Sequence, residues 1–186
     1  MFNPNFTPFP ILTTNRLVLR EITLDDAPEL FFMRTDDRVM KYIERPRPKN
    51  IDETISFIKL ITELRNKNEI ITWGIAMKNE TKLIGTVVYL NFKKEHHRAE
   101  FGYALHPDYW RKGIMNEVTE AVLDYGFNEM KLHSIEANIN PDNIASQKLL
   151  EKNGFVREAY FKENFYWEGQ FLDSAIYSLL APIVNS

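Results

Sequence analysis

Apolar and polar positions recur along this chain in blocks that predict an ordered series of strands and helices. They alternate from Arg16 to Ile22, which indicates a first strand. A helix from Leu24 to about Thr35 should follow, with Thr23 as its N-cap. Asn50 should cap a second helix, with Glu53 three residues later as in a capping box. The second helix is expected to bury a stripe of isoleucines: Ile51, Ile55, Ile58 and Ile61.

The remaining pattern predicts more strands, two further helices and a terminal hairpin. The strands lie at about 71–78, 82–92, 98–105 and 134–139, and helices begin near Ile114 and Asn143. The segment from Phe155 to Leu180 alternates around Gly169, as a long hairpin does. The predicted order is β-α-α-β-β-β-α-β-α-β-β, an α/β (α+β) fold with a single mixed, mostly antiparallel central sheet flanked by helices. One domain, residues 14–182, should follow an N-terminal arm, residues 1–13.

Composition narrows the classes of function. With 186 residues and a net charge of -3, the chain is one globular domain without a broad positive field for nucleic acid. It contains no cysteine, which excludes disulfides and cysteine nucleophiles. No apolar run approaches the roughly 20 residues of a membrane span, and the uncharged first ten residues do not resemble a signal peptide. We therefore expect a cytoplasmic protein, monomeric or homodimeric, that binds neither membrane nor nucleic acid directly.

A basic loop at the start of the Ile114 helix is the first candidate site. The loop reads Tyr109-Trp110-Arg111-Lys112-Gly113-Ile114-Met115-Asn116 and lies between a strand and an amphipathic helix. Unpaired N–H groups and the dipole at a helix N-terminus favour a phosphate, and Gly113 lets the backbone approach it. An ordinary strand-to-helix turn with a solvated basic pair is the alternative.

A second motif lies about 30 residues further on. Asn143, Ser146 and Leu149 are spaced three apart at a predicted helix start, and Gly154-Phe155 follows the helix. By themselves, Asn143 and Ser146 are better explained as a helix cap and a solvated helix residue than as functional groups.

Together, the two motifs and the order of elements resemble the GNAT superfamily of acyl-CoA-dependent N-acetyltransferases. The resemblance covers about Asn15 to Leu180, and within it the chain is most similar to the ribosomal-protein N-acetyltransferases. The supporting stretches are Thr14-Asn15-Arg16-Leu17-Val18-Leu19-Arg20, Glu100-Phe101-Gly102-Tyr103, the Tyr109-Trp110 loop and Asn143-Ile144-Ala145-Ser146. In the family's phosphate-loop pattern, Trp110 replaces a leading Gln or Arg, and Met115 replaces a final small residue.

This resemblance implies acetyl-CoA as co-substrate, an amine as acceptor and no metal. Ser146 would donate a hydrogen bond or proton to the CoA sulfur, and Asn143 would bind the pantetheine amide. Pantetheine would lie where the Glu100 strand parts from the Ser134 strand, with a backbone N–H near Leu105 as partner of the thioester carbonyl. The implied cofactor contacts are Leu105, His106, Trp110, Arg111, Lys112, Gly113, Ile114, Met115, Asn116, Asn138, Asn140, Asn143 and Ser146.

Glu100 is the candidate base that takes a proton from the amine, directly or through water. The alternative is an outward carboxylate paired with Arg98 or Lys94. An α-amine with a pKa of about 7.7–8.0 is already partly neutral at pH 7, whereas a lysine near 10.4 is not. The prediction is therefore acetylation of a protein N-terminus, as in ribosomal proteins. The alternatives are a small-molecule amine (polyamine, aminoglycoside or amino acid) and a non-catalytic CoA-binding module.

Other candidate groups have simpler explanations. His96, His97, His106 and His133 lack a convincing set of metal-ligand partners. The aromatic residues of the hairpin are expected to pack in the sheet, although Tyr166 and Trp167 could instead line an acceptor groove. The Arg45–Lys49 segment would form the opposite wall or a solvated loop.

Overall fold

The computed structural model describes residues 3–182, which form eight strands and five α-helices. The strands are β1 Leu12–Thr13, β2 Leu17–Glu21, β3 Ile71–Met77, β4 Gly85–Lys93, β5 Arg98–Leu105, β6 Ser134–Ile139, β7 Val156–Trp167 and β8 Gln170–Leu180. The helices are α1 Ala27–Thr35, α2 Asp37–Met40, α3 Ile51–Asn66, α4 Ile114–Asp124 and α5 Ile144–Lys152.

All eight strands form one sheet in the order β1-β2-β3-β4-β5-β6-β8-β7. Only β5 and β6 are parallel, and every other neighbouring pair is antiparallel. The predicted mixed, mostly antiparallel sheet is therefore confirmed. The structure adds β1 and α2, which span two and four residues and are too short for a periodic pattern to reveal.

The parallel pair β5–β6 separates after three residue pairs. Its register runs from Arg98 opposite Ser134 to Glu100 opposite Glu136, and no pairing continues beyond that point. At the paired end, Nη2 of Arg98 lies 2.5 Å from Oε2 of Glu136 and ties the strands together. The remaining length of β5 faces a gap in the sheet, as the family resemblance implied.

Helices cover both faces of the sheet and bury two apolar clusters. The larger cluster joins β2–β6 to α4 through residues such as Trp73, Phe101, Val118 and Val122. The smaller one lies under α1 and α3 and includes Leu30, Met33, Ile58, Ile61 and Leu83.

The predicted isoleucine stripe of α3 is partly wrong. Ile58 and Ile61 are buried, but Ile51 is 41% exposed and Thr54 is fully buried instead. Ile51 is the first residue of α3, so its side chain lies beyond the part of the helix that packs on the sheet. Asn50 caps this helix as predicted, because its Oδ1 accepts the Glu53 N–H at 3.0 Å. The Glu53 carboxylate accepts the Lys49 N–H rather than the Asn50 N–H.

Residues near the N-terminus pack on the rest of the fold. Phe6 is fully buried in the larger cluster, and β1 pairs with β2. The Trp73 indole N–H also donates to the Pro10 carbonyl at 2.7 Å.

Candidate active site

The basic loop forms an exposed, uncapped helix start. Arg111 and Gly113 have φ angles of 60° and 73°, and Gly113 occupies the N-cap position of α4 in the left-handed region. No side chain among the described residues caps this end of the helix. The first N–H groups of α4, from Ile114 to Asn116, are therefore free of side-chain acceptors and point out of the helix end, the arrangement that favours a phosphate.

Arg16, which lies between β1 and β2, holds this loop in place. Its Nε lies 2.7 Å from Oε2 of Glu117, and its Nη1 donates to the Lys112 carbonyl at 3.0 Å. Thr14 adds a hydroxyl donor to the Glu117 carboxylate. Burial raises the pKa of Glu117, but the hydrogen bonds from Thr14 and Arg16 outweigh it, so the pKa lies below its usual value.

The start of α4 is also tied to α5. The Asn153 Nδ2 donates to Oδ1 of Asn116 at 3.3 Å, while the Asn116 Nδ2 donates to Glu120. The side chain of Met115 packs partly buried against the larger cluster, away from the exposed loop. Met115 thus occupies a packing position, and its backbone N–H is the group it offers to a phosphate.

The end of β5 presents one backbone donor to the gap. The His106 N–H donates to the Ile84 carbonyl at 2.8 Å, and the His106 carbonyl accepts from Tyr109. His106 therefore has no backbone N–H left for a cofactor, and its ring stacks on Phe32 at 4.6 Å. Because successive residues of a strand face opposite neighbours, the Leu105 N–H points away from β4 and into the gap. The Leu105 carbonyl is held by the Trp110 indole N–H at 2.7 Å.

Ser146 and Asn143 lie where α5 begins, beside the gap. Oδ1 of Asn143 accepts the Ser146 N–H at 3.1 Å, so this amide caps the helix and only its Nδ2 remains for another acceptor. The Ser146 hydroxyl is buried and lies 2.6 Å from the Tyr103 hydroxyl on β5. Burial raises the pKa of Tyr103 to about 12, although the Ser146 hydrogen bond lowers it, so the phenol stays protonated at physiological pH.

The sequence did not single out Tyr103. It lies within a strand whose alternation predicts only packing, and its partner is 43 residues away. In the sequence, Tyr103 stood out only as part of the Glu100-Phe101-Gly102-Tyr103 stretch that supports the family resemblance.

Glu100 lies on the other face of β5, in a cleft of about 450 Å³. Its Oε2 accepts a hydrogen bond from the Asn91 amide at 2.6 Å. The alternative ion pair with Arg98 or Lys94 is absent from the described residues, because Arg98 pairs with Glu136. Glu100 is thus a carboxylate without a cationic partner that faces an open cleft.

The cleft is lined mainly by apolar side chains of α1, α3 and the adjacent strands. Asn138 and Asn140 line its β6 end, where the Asn140 amide donates to Glu44 at 3.0 Å. From the hairpin, Phe165 reaches the cleft, whereas Tyr166 and Trp167, the alternative candidates for an acceptor groove, are not among its lining residues. Both lie next to the tight turn at Gly169, beyond the part of the hairpin that covers the cleft. The expected packing of the hairpin aromatics in the sheet is largely wrong, since five of them are 41–64% exposed: Tyr160, Phe161, Phe165, Tyr166 and Phe171.

The Arg45–Lys49 segment contributes only its first residue to the wall. Arg45 lines the cleft, whereas Arg47 turns away to Asp37 at 2.5 Å.

The candidate groups for donor binding and for the base approach the gap from opposite sides of the sheet. The basic loop and Ser146 belong to the α4–α5 side, and Glu100 opens to the α1–α3 side. Tyr103 contacts Ser146 and also lines the cleft. A thioester held in the gap would therefore meet an amine from one side and a hydroxyl donor from the other.

Within residues 3–182, no group of three or more His, Asp or Glu side chains could hold a metal ion. The helices of this part of the chain are too short or too polar to cross a membrane.

Comparison with known proteins agrees with this geometry. The family model described as "Acetyltransferase (GNAT) domain" matches residues 16–156. The chain belongs to this family, and it is an N-acetyltransferase that uses acetyl-CoA as acetyl donor.

Two relatives and one solved structure are similar to this chain over most of its length. The "Uncharacterized N-acetyltransferase YoaA" of Bacillus subtilis is 37% identical over 94% of this chain and 98% of its own length. The "[Ribosomal protein uS5]-alanine N-acetyltransferase" of Escherichia coli is 27% identical over 92% of this chain and 91% of its own length. The crystal structure of a GNAT-family acetyltransferase from Bacillus anthracis, 30% identical, covers 92% of this chain and 98% of that one with a TM-score of 0.82.

Proposed function

We propose that this enzyme acetylates the N-terminal α-amine of a protein, with a ribosomal protein as the first candidate. The observation that carries this proposal is Glu100, a carboxylate without a cationic partner in an open, mainly apolar cleft. Such a base suits an amine that is already partly neutral at pH 7, and an α-amine meets that condition better than lysine. The name of the Escherichia coli relative, which acts on an alanine of ribosomal protein uS5, supports the same class of acceptor.

The binding of the donor follows from the groups around the gap. Acetyl-CoA supplies an activated acetyl group as a thioester. The N–H groups of Ile114 to Asn116 would bind its phosphates, with Arg111 and Lys112 adding positive charge. The Nδ2 of Asn143 and the side chains of Asn138 and Asn140 are the candidate partners of the pantetheine arm. The Leu105 N–H would donate to the thioester carbonyl.

The acyl transfer needs a base for the amine and a donor for the sulfur. A bond forms between the amine nitrogen and the acetyl carbon while the carbon–sulfur bond breaks. Glu100 receives the proton that leaves the amine, directly or through water. Ser146 donates a hydrogen bond or a proton to the sulfur as negative charge develops on it, and solvent restores any proton that the hydroxyl gives up. Tyr103 is then the donor in the 2.6 Å pair, because a Ser146 hydroxyl that points its hydrogen to sulfur must accept from its other neighbour.

We also assign the enzyme to the cytoplasm, because the cysteine-free sequence is compatible with a reducing compartment.

The test is a set of short peptides that each offer one kind of amine. One peptide has a free N-terminus and no lysine, and its partner has an acetylated N-terminus and one internal lysine. Release of free CoA thiol gives the rate, and mass spectrometry locates the acetyl group. We expect acetylation of the α-amine peptide only. Faster acetylation of the lysine peptide, or of a polyamine such as spermidine, would contradict the proposed acceptor.

A further inference from the structure

Two arginines in the acceptor cleft lack the carboxylate partners that most arginines of this protein have. Ion pairs within the described residues involve the following arginines: Arg16, Arg20, Arg38, Arg47, Arg65 and Arg98. Arg34 and Arg45 form none, and both line the cleft. Two guanidinium groups without counter-ions on one wall make an unusual surface for a cleft that is otherwise mainly apolar.

Arg34 contacts two neighbouring groups although it has no ion-pair partner among the described residues. Its guanidinium lies 3.9 Å from the centre of the Phe57 ring, and its Nη2 makes a long hydrogen bond of 3.4 Å to the Pro46 carbonyl. Burial lowers the pKa of Arg34, and the positive charge of Arg45 lowers it further. A half-buried cation beside a like charge is destabilised until an anion joins it. Stacking on Phe57 fixes the plane of the fork without using its outward N–H groups.

The carboxylates of the cleft do not occupy the N–H groups of this pair. Glu100 accepts from Asn91, and Glu44 accepts from Asn140. Asp173 accepts from the Tyr160 hydroxyl and from the Glu163 N–H. None of the three forms an ion pair with Arg34 or Arg45 among the described residues, so guanidinium donors remain available to a ligand.

We propose that Arg34 and Arg45 bind a carboxylate of the acceptor, so that the enzyme selects amines whose carrier also bears an acid group. This inference rests on the proposed function, since it takes the cleft as the acceptor site with the amine beside Glu100. Arginine binds carboxylates through two parallel N–H···O bonds, which gives direction as well as charge. The carboxylate can come from an acidic side chain near a protein N-terminus or from a free amino acid.

The experiment compares acceptors with and without an acid group. C-terminally amidated peptides carry Glu at position 2, 3 or 4, each matched with the same peptide bearing Gln. Phenylalanine and phenylalanine amide form the arm for free amino acids, with each rate divided by the fraction of its α-amine that is neutral. For the peptide source, we expect one Glu position to give a kcat/KM about tenfold above its Gln counterpart, the effect of a charge-assisted hydrogen bond. For the amino-acid source, phenylalanine should exceed its amide by a similar factor. Equal rates within every pair would overturn the proposal.

Variants of the arginines connect this preference to the cleft. R34Q and R45Q should each reduce the Glu-over-Gln ratio of kcat/KM toward one, because each removes a guanidinium donor to the carboxylate. R34K keeps the charge near Phe57 and should retain part of the preference, which guards against misfolding of R34Q. R157Q, on the exposed strand β7, is the matched control and should leave the ratio unchanged. A preference that survives both R34Q and R45Q would refute the assignment.

Titration calorimetry with the CoA-loaded protein separates this inference from the proposed function. If none of these acceptors is acetylated although acetyl-CoA binds, the proposed acceptor is wrong. The inference is then tested by binding alone. The Glu peptide or phenylalanine should bind to the wild type more tightly than its neutral partner does. This difference should be absent in R34Q. Equal binding of the two partners to the wild type would refute it.

Discussion

The two faces of β5 differ in both packing and chemistry. On one face, Phe101 is 2% exposed and Tyr103 is fixed by the 2.6 Å contact with Ser146. On the other, Glu100 and Gly102 face an open cleft of about 450 Å³. The donor side is thus closely packed, whereas the acceptor side leaves room for different amines. This difference suits a family in which the donor is common to all members and the acceptor varies.

The largest effect should come from a substitution in the basic loop, which belongs to the donor side. G113E places a side chain at φ 73° and a carboxylate beside the phosphates, so acetyl-CoA should bind several hundredfold more weakly, the loss of about two charge-assisted hydrogen bonds. Titration calorimetry measures this affinity. G169E is the matched control, because Gly169 has a similar φ of 86° on the hairpin turn and nothing within 4 Å. Unchanged affinity in G113E would mean that the loop does not bind the donor.

Removal of the Ser146 hydroxyl should affect the chemical step rather than donor binding. S146A is expected to lower kcat about a hundredfold, the contribution of a positioned proton donor, with little change in the acetyl-CoA dissociation constant. Steady-state kinetics and calorimetry on the same variant separate the two quantities. A loss confined to acetyl-CoA binding would remove Ser146 from its proposed role.

Glu100 should matter most when the acceptor is strongly basic. E100Q is expected to lower kcat/KM about thirtyfold for an amine with a pKa near 10.4 and only a few fold for one near 8, because less deprotonation is needed. The pH dependence of kcat/KM for both amines tests this, with the defect shrinking as the pH approaches the pKa of each amine. E95Q, at an exposed position between β4 and β5, serves as control. An equal loss for both amines would indicate a role in orientation instead.

Tyr103 should contribute through Ser146, as a positioning residue. Y103F keeps the ring and removes the hydroxyl, so kcat should fall about tenfold with KM nearly unchanged, as expected for one lost hydrogen bond in the transition state. Because its pKa is about 12, no titration of Tyr103 should appear in the pH profile below pH 10.

The double variant S146A/Y103F separates this role from general destabilisation: it should be no slower than S146A alone. Y89F is a second control, since the Tyr89 hydroxyl is also buried but bonds to the Val122 carbonyl. A further tenfold fall in the double variant would show that Tyr103 does not act through Ser146.

The smallest effect is expected at the N-cap of α2, beside the acceptor cleft. Asp36 caps α2 by accepting from the Arg38 and Val39 N–H groups, and the Arg38 side chain also binds it. D36N keeps a capping oxygen and removes the charge that binds Arg38, so Tm should fall by no more than about 3 °C.

The hydrogen bond from the Arg38 side chain lowers the pKa of Asp36 to about 2, so its charged form stabilises the folded state above pH 4. That contribution fades as the pH falls from 4 to 2. Thermal unfolding of both proteins across this range should show the Tm difference disappear, and a constant difference would contradict the assignment.

Local features were predictable from the sequence because each is encoded within one or two turns of chain. The Asn50 and Asn143 caps, the β5 boundaries and the hairpin around Gly169 all depend on neighbouring residues, and the structure contains them. The basic loop belongs to this group, since a glycine at the N-cap of α4 is a local arrangement. The resemblance of these local motifs to the GNAT superfamily indicated the family.

Only the tertiary structure decided which distant groups meet. The contact of Tyr103 with Ser146, the engagement of the His106 backbone by Ile84, and the placement of Arg34 over Phe57 all join different elements. Such contacts depend on sheet register and on which helix face packs inward, and a slip of one residue would reverse them. The exposure of Ile51 has the same origin, because periodicity gives the apolar face of a helix but not where its packing ends.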